Sequence, residues 1–410
     1  MPALLAIVTI ISGIVVGILA AIWANWLLIA AYAAVWAIIC VAWWAFRAER
    51  FGFTGAPYYL IYRTTRFNEW IRRTSSRKPT AWMTIWNLGI VTGVGSMAFI
   101  FYKLALNLLN LFTGSPQAVS VEPIIPVPGV GVTFETFPYL VVALVICIVS
   151  HEASHGIASL GERMPLKSAG AIILPAPLAA FVELDDEKLN QARQSTKLRV
   201  FAAGSYTNLV LGIFFALLLV NFAATITPFY NIVPSGVSVT GISPTFPVHA
   251  SGLQAGDTLT AINGTRITNS SDLRRFMSGV VPGQVVTLQT PRGVFAVRTV
   301  ADQSNSTHAL IGINLEDSID FIPKLSFLSS DFPLSLFRVE YWCNIVLTSV
   351  ALINMLPVLP FDGDKFLEAA LSLLGVKGSR EIRMIASRAA IVILALNVAL
   401  SLYRYGFQRL

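Results

Sequence analysis

The sequence predicts a polytopic α-helical membrane protein with about six or seven transmembrane helices, a re-entrant hairpin and a small inserted β-rich domain. The 410 residues are 55% hydrophobic and only 12% charged, and soluble domains carry about a quarter charged residues. Several apolar segments are long enough to cross a bilayer. One region, residues 233–320, changes to turn and strand patterns and interrupts these segments.

Residues 1–136 predict N-terminal transmembrane helices and a basic cytoplasmic loop. Residues 3–23 and 26–46 are each long enough to span a bilayer, and the apolar start predicts a retained helix instead of a signal peptide. Residues 47–78 contain eight Arg or Lys and two Glu, so the positive-inside rule places them in the cytoplasm. A third span is expected to run outward from about 82 to 106, before an external loop.

The charge and the cysteines argue against two other classes of protein. The net charge of +7 does not indicate a nucleic-acid partner, because the basic residues adjoin apolar spans, where they orient helices in the bilayer. Cys40, Cys147 and Cys343 all lie in apolar stretches and predict buried thiols, not a disulfide framework. The lipid bilayer is therefore an expected partner, and nucleic acid is not.

A metal-binding pattern lies in residues 137–232, which we predict to be the first part of a catalytic membrane core. His151 and His155 are four residues apart, so they project from one face of a helix and suit two corners of a tetrahedral zinc site. Glu152 lies beside them and could accept a proton from water on the metal. The alternative is a solvated pair of surface histidines. It conflicts with the surrounding Val, Ile and Leu, because ionisable groups in a membrane span are costly.

The rest of this region predicts a hairpin and a second crossing. Residues 165–184 are apolar but interrupted by prolines and glycine, which favours a re-entrant or interfacial hairpin over a spanning helix. Residues 185–199 are polar, and residues 201–224 cross outward. Gly204 and Asn208 belong to a face of small residues in this crossing, which suits close helix packing.

Residues 233–320 have the composition of a soluble domain. β-type runs occur at 237–242, 285–288 and 294–300. Because the preceding span crosses outward, we expect this domain outside the cytoplasm. Residues 321–410 then predict the second part of the catalytic core: an inward span at 336–356, a short helical piece and a last span from about 385 to 403.

The end of the inward span supplies the candidate third metal ligand. Asp362 is expected at a similar depth to the two histidines, and two prolines before it interrupt the helix. Taken alone, Asp362-Gly363 indicates a plain turn, but its depth beside the HExxH pattern makes the ligand the stronger interpretation. Asn354, in the same span, is either a helix-packing amide or a donor to the oxyanion of a tetrahedral intermediate.

Four motifs occur in a fixed order: HEASHG at 151–156, the hairpin end at 180–183, Gly204-x-x-x-Asn208, and Asn354-x-x-Pro-x-x-x-Phe-Asp-Gly. In this order they resemble the site-2 proteases, a family of intramembrane zinc metalloproteases. Residues 62–68 and 127–130 are similar to the eukaryotic and archaeal branch. The external domain lacks the cysteine-rich insert of animal members, which favours an archaeal origin. One departure is Phe361, where the family usually has Leu.

The resemblance implies a mechanism and a setting. One Zn²⁺ per chain would bind the ligands His151, His155 and Asp362, with Glu152 as general base and Asn354 near the scissile carbonyl. The implied activity is hydrolysis of a peptide bond within or near the transmembrane segment of a membrane-anchored protein, which releases a cytosolic signalling or transcription-factor domain. The implied location is the cell membrane of a prokaryote, with the active site towards the cytoplasm.

Within the external domain, residues 251–264 (SGLQAGDTLTAING) resemble the signature of a PDZ domain. Such domains bind an extended peptide along a strand edge and capture its C-terminal carboxylate. The candidate edge is Leu310, Ile311, Gly312 and Ile313, although each could equally be a core strand residue. A PDZ-like domain here would sense the new C-terminus left when another protease trims the external part of the substrate.

Two functions from other classes are alternatives. A zinc-binding membrane transporter would use the His and Asp residues as a transit site, but it has no need of Glu152 as a base or of a peptide-binding domain. A non-catalytic scaffold would act through the PDZ-like domain, but it has no need of a complete metal site. The protease is the prediction that uses all of these features.

Overall fold

A computed structural model describes residues 26–45, 53–56, 59–129, 131–173, 178–302 and 305–407. The predicted first helix, residues 3–23, lies outside the described residues. The chain divides into two compact units, which are Met1–Val220 with Arg338–Leu410, and Asn221–Phe337.

Helices account for most of the first unit, and three of the described helices lie wholly or partly in the second unit. In chain order, the described helices are α1 Trp26–Ala45, α2 Thr65–Arg77, α3 Pro79–Thr113, α4 Phe137–Gly161, α5 Asp186–Gln191, α6 Gln194–Val220, α7 Phe222–Ile226, α8 Ser270–Met277, α9 Phe332–Ile353, α10 Asp362–Leu373 and α11 Ser379–Tyr405. Among the described residues, α3, α4, α6, α9 and α11 are long and apolar enough to cross a membrane. The predicted multi-pass helical fold is therefore confirmed.

Several helices extend beyond the spans that the sequence predicts. The helix α6 begins at Gln194, although the predicted span begins at residue 201, and α3 runs from Pro79 to Thr113. The first two turns of α6 are polar, and hydropathy marks only the part of a helix that suits lipid. Pro79 favours the start of α3, since its missing N–H is unneeded in the first turn. Gly114 ends α3 in the left-handed conformation at φ +69°.

The predicted hairpin at 165–184 is a pair of β-strands within a four-stranded sheet. The strands are β1 Phe53–Ala56, β2 Tyr59–Arg63, β3 Leu166–Ile173 and β4 Leu178–Leu184, all antiparallel in the order β1-β2-β3-β4. Gly170 allows β2 and β3 to pair, because a Cβ there would lie 2.0 Å from the Tyr62 carbonyl oxygen. As the last strand of this sheet, β4 leaves one edge unpaired by any described strand.

The second unit contains the remaining strands. They are β5 Tyr230–Ile242, β6 Thr258–Leu259, β7 Ala261–Ile262, β8 Thr265–Arg266, β9 Val285–Thr290, β10 Gly293–Arg298, β11 Val300–Ala301, β12 Ala309–Leu310 and β13 Ile313–Pro323. The strands β5 and β13 pair along their whole length, from Tyr230 with Pro323 to Ile242 with Ile313. The predicted boundaries at 233 and 320 fall inside these strands, so the compact unit is wider than the domain expected from composition.

A turn with a buried carboxylate lies at the centre of the PDZ-like signature. Gly256 has φ +95°, and the following Asp257 is 6% exposed. Arg292 donates hydrogen bonds to both carboxylate oxygens of Asp257, at 2.5 and 2.6 Å, and these bonds lower the pKa of Asp257 below its usual value. The ion pair thus ties the signature turn to the segment between β9 and β10.

Candidate active site

The HExxH pattern lies in the second half of α4, where the helix is most deeply buried. His151 and His155 are each 7% exposed, and their Nε2 atoms lie 3.1 Å apart. The helical repeat places the two rings one turn apart on the face that packs against α6. The structure therefore brings the two predicted histidine ligands together.

Asp362 is the first residue of α10 and completes the cluster. Its Oδ2 atom lies 3.1 Å from His151 Nε2 and 3.2 Å from His155 Nε2. The Gly363 N–H donates to the Asn354 carbonyl oxygen at 2.8 Å. Only glycine fits at this position, because a Cβ there would collide with the Met355 backbone. The Asp-Gly turn thus carries the carboxylate to the two imidazoles.

The three ligand atoms form a triangle with sides of 3.1, 3.1 and 3.2 Å. Metal bonds of about 2.0–2.1 Å at tetrahedral angles separate the ligand atoms by about 3.3 Å. Two imidazole nitrogens, one carboxylate oxygen and an open fourth position are also the donor set of catalytic zinc sites. The residues present therefore fit a zinc ion.

Gly204, on α6, keeps the space beside the ligand atoms open. A Cβ on this residue would lie 2.6 Å from the Nε2 atoms of both His151 and His155. No Cβ approaches another heavy atom this closely without a shift of the structure. From the sequence, Gly204 was predicted to serve helix packing alone, and this role was not predicted.

Residues of α6 also contact the Nδ1 atoms of both imidazoles. His155 Nδ1 lies 2.7 Å from the Val200 carbonyl oxygen, so it carries the proton and leaves the Nε2 lone pair for a metal. His151 Nδ1 lies 3.2 Å from the side-chain amide of Asn208, which is fully buried and also contacts Ser150 and Cys147. The signal for this role was available, because an amide in an apolar span needs a polar partner.

Glu152 faces the free edge of β4. One of its carboxylate oxygens, Oε2, accepts a hydrogen bond from the Val182 N–H at 2.9 Å. Both residues line a cavity of about 650 Å³ that also contains the three ligand residues. The general base expected from the sequence and the edge of the hairpin thus share one cavity.

Asn354 lies just beyond the end of α9, not within the helical span predicted from the sequence. The helix ends at Ile353, and the chain then turns towards Asp362. The Asn354 Nδ2 atom is 3.0 Å from His151 Nε2 and 3.5 Å from Asp362 Oδ2. The amide therefore borders the metal position.

A second contact that the sequence did not reveal fixes α10. Asp364, two residues after the third ligand, is 2% exposed and accepts hydrogen bonds from Arg383 of α11, with Nε to Oδ1 at 2.8 Å. Arg383 also contacts Glu368 at 2.8 Å. These ion pairs join α10 to α11 and hold the helix that presents Asp362.

The proposed peptide-binding segment of the second unit is not one continuous strand. Leu310 ends β12, which pairs with β11, and Ile313 begins β13, which pairs with β5. Between them, Gly312 turns the chain at φ +88°, and Ile311 is buried in the core of the unit. A peptide-binding role for this segment stays a prediction.

Residues 139–397 match a family model described as peptidase family M50. The chain belongs to peptidase family M50, the site-2 protease family. An uncharacterized protein of Methanocaldococcus jannaschii is 25% identical over 287 residues, covering 68% of this chain and 70% of that protein. A membrane-bound transcription factor site-2 protease homolog of Arabidopsis thaliana is 25% identical over 225 residues, covering 52% of this chain and 41% of that protein.

Solved structures are also similar to part of this M50 member. The PDZ domain of an SdrC-like protein from Listeria monocytogenes is 26% identical, covers 20% of this chain and 87% of its own, and gives a TM-score of 0.18. The corresponding domain from Listeria innocua is 23% identical, covers 20% and 93%, and gives the same TM-score. Family membership and the five apolar helices describe a multi-pass membrane protein of a metalloprotease family.

Proposed function

We propose that this protein is an intramembrane zinc metalloprotease that cleaves a membrane-anchored protein within or near its transmembrane segment. The observation that carries the proposal is the triangle of ligand atoms from His151, His155 and Asp362, with Glu152 in the same cavity. The cluster is formed by two residues of α4 and the first residue of α10. Both α4 and α9, the helix before α10, are long enough to span a bilayer. These three residues would hold one zinc ion per chain.

The residues around the ligand cluster have distinct chemical roles. Zinc in this site would lower the pKa of water towards about 7 and polarise a carbonyl group. Glu152 accepts the proton of the attacking water, and the Val182 N–H keeps its carboxylate at the cavity wall. The Asn354 amide donates to the developing oxyanion of the scissile carbonyl.

The free edge of β4 is the proposed substrate platform. Backbone groups of alternate residues point to the same edge of a strand. The Val182 N–H faces Glu152, so the backbone of Ala180 faces the same edge. A substrate helix must unwind before cleavage, because its carbonyl groups are hydrogen-bonded within the helix. The unwound segment could then pair with β4, which holds an extended peptide beside the ligand cluster.

The orientation in the membrane, the substrate and the released product are part of the same proposal. The basic residues 47–78 support a cytoplasmic location for that segment, and resemblance to site-2 proteases supports release of a cytosolic signalling or transcription-factor domain. The substrate would be a transmembrane protein already trimmed outside the cytoplasm by another protease. The β-rich unit would then recognise the new C-terminus, as its PDZ-like signature suggests.

The deciding experiment compares wild type, Glu152→Gln and Glu183→Gln on a tagged single-span substrate in detergent, with zinc content measured for each. Glu183 is the matched control, because it lines the same cavity but accepts a hydrogen bond from Ser168. We expect Glu152→Gln to keep its zinc and to lose about 10²–10⁴-fold in cleavage rate, and Glu183→Gln to cleave normally.

The alternatives give other results. Equal cleavage by wild type and Glu152→Gln would show that Glu152 is not the base. Zinc binding with no cleavage by wild type across single-span substrates would favour the transporter or the scaffold. Loss of zinc from Glu152→Gln would indicate that Glu152 supports the metal site and not the proton transfer.

A further inference from the structure

The helix α2 presents a stripe of basic residues on the side turned away from the protein. Arg66, Trp70, Arg73 and Arg77 follow at spacings of four, three and four residues, so they lie along one face. We call these four residues the basic stripe. All four are exposed, and Trp70 is 50% exposed.

The opposite face of α2 is occupied by the protein. Ile71 is fully buried, and a Cβ on Gly156 of α4 would lie 3.1 Å from two of its carbon atoms. Ser75, also buried, donates a hydrogen bond from its hydroxyl to the Ile157 carbonyl oxygen at 3.1 Å. The helix is therefore anchored against α4, next to the HExxH pattern, and the basic stripe faces outward.

The chain places α2 at the boundary of a bilayer. Arg77 ends α2, and only Lys78 separates it from Pro79, where α3 begins. The candidate span in α3 starts at Thr80. The Trp82 indole nitrogen of α3 donates to the Thr74 carbonyl oxygen of α2 at 2.9 Å, which holds the two helices together at this junction. Tryptophan and arginine at this depth are typical of helices that lie in the headgroup region.

Within the described part of the chain, the arginines of the basic stripe form no strong ion pair. Arg66 and Arg77 form no side-chain hydrogen bond or ion pair there. Arg73 contacts Glu69 at 3.5 Å, with both side chains more than 60% exposed, which makes a weak pair. Three guanidinium groups thus remain available beside a membrane surface.

We propose that the basic stripe binds the anionic headgroups of membrane phospholipids. Guanidinium groups match phosphate oxygens in geometry and charge. Each basic residue near an anionic membrane surface strengthens the attraction roughly fivefold. A headgroup suits this surface better than a nucleic acid or a protein, because the stripe contains Trp70 and adjoins the start of a membrane span.

The test measures lipid selectivity and needs no proteolysis. The full chain is reconstituted in phosphatidylcholine vesicles with traces of spin-labelled phosphatidylglycerol or phosphatidylcholine, and the fraction of immobilised label is compared. Wild type is expected to prefer phosphatidylglycerol at least about threefold, and 0.5 M NaCl should reduce that preference, because salt screens exposed charges.

Three variants separate charge from folding. Arg66→Gln with Arg73→Gln and Arg77→Gln should lower the preference towards about one. The same three positions changed to Lys keep the charge and should keep most of the preference. Arg266→Gln with Arg275→Gln and Arg298→Gln, three exposed residues of the second unit, should behave as wild type.

Binding of anionic lipid goes beyond the proposed protease function, and the measured lipid preference does not depend on cleavage. A wild-type preference near one would overturn it. So would a preference that persists unchanged in the glutamine variant or is insensitive to salt. If the glutamine variant fails to fold, the lysine variant and the salt titration of wild type decide the question.

Discussion

Gly204 leaves open the space in which the three candidate ligand atoms could share one metal ion. It faces His151 and His155 from the neighbouring helix, and any side chain would enter the space beside their Nε2 atoms. We expect Gly204→Ala to lower zinc occupancy at least about tenfold, since the imidazoles must move from positions that outer contacts now hold. Zinc bound per purified chain is the measurement.

Gly95→Ala is the matched control for that substitution. It changes a glycine of α3 where a Cβ would meet no atom within 4 Å. A better helix former in open space should leave zinc occupancy unchanged and stabilise the fold slightly, by about 0.5–1 kcal/mol. Normal zinc in Gly204→Ala would mean that the two histidines bind metal in another arrangement.

Asn208 contacts the candidate ligand His151 at the ring nitrogen that faces away from the proposed metal. An imidazole that binds metal through Nε2 carries its proton on Nδ1. The Asn208 amide nitrogen lies 3.2 Å from His151 Nδ1, and a 180° turn of this amide would bring its oxygen there to accept that proton. We expect Asn208→Leu, which removes the polar group and keeps the branched shape of the side chain, to weaken zinc affinity about 10–100-fold. Competition with a chelator measures this affinity.

Asn208→Asp provides the test of that role. Its carboxylate keeps an acceptor beside His151 Nδ1, so zinc affinity should lie closer to wild type than in Asn208→Leu. If both variants lost affinity equally, Asn208 would act through helix packing, as its place in a small-residue face first indicated.

At the scale of secondary-structure elements, β4 serves the site through its backbone. Ala180 directs its N–H to the free edge, whereas the neighbouring Phe181 pairs with Gly170 of β3. Proline removes one N–H and is tolerated only at the edge of a sheet. We expect Ala180→Pro to keep zinc and thermal stability but to lower cleavage efficiency about fivefold, as for one lost hydrogen bond.

Phe181→Pro is the contrasting variant. It removes a donor from the β3–β4 pairing, so it should destabilise the protein, which Ala180→Pro should not. The thermal unfolding midpoint and the KM for a single-span substrate distinguish the two effects. Unchanged KM in a stable Ala180→Pro protein would show that the substrate does not pair with this edge.

Parts of the site that depend on residues close in the sequence can be predicted from the sequence, whereas parts that depend on packing between elements cannot. His151 and His155 follow from the repeat of one helix, and Asp362 follows from its depth in a later span. The contacts of Val200 and Asn208 with the imidazoles depend on how α6 packs against α4, which hydropathy does not encode. The pairing of β2 with β3 joins residues more than 100 positions apart, and no turn signal announces it.

At the scale of the whole molecule, the β-rich unit is an insertion whose first and last strands pair with each other as a two-stranded ribbon. The strands β5 and β13 enter and leave side by side, and the hydroxyl oxygens of Ser235 and Ser318 lie 3.2 Å apart. Composition predicted the existence of this unit but placed its limits inside the ribbon. The reason is that residues 221–232 and 321–337 are about as apolar as the chain as a whole, so composition alone does not assign them to the β-rich unit.

The ribbon makes a clean deletion possible and gives the last prediction. Residues 236–317 can be replaced by an Asn-Gly turn, which suits a two-residue connection between antiparallel strands. The first unit contains the ligand triangle, Glu152 and β4, so we expect zinc occupancy to stay normal. If the β-rich unit selects trimmed substrates, the ratio of cleavage rates for trimmed and intact substrates should move towards one. An unchanged ratio in a zinc-loaded deletion protein would assign that selection to the first unit itself.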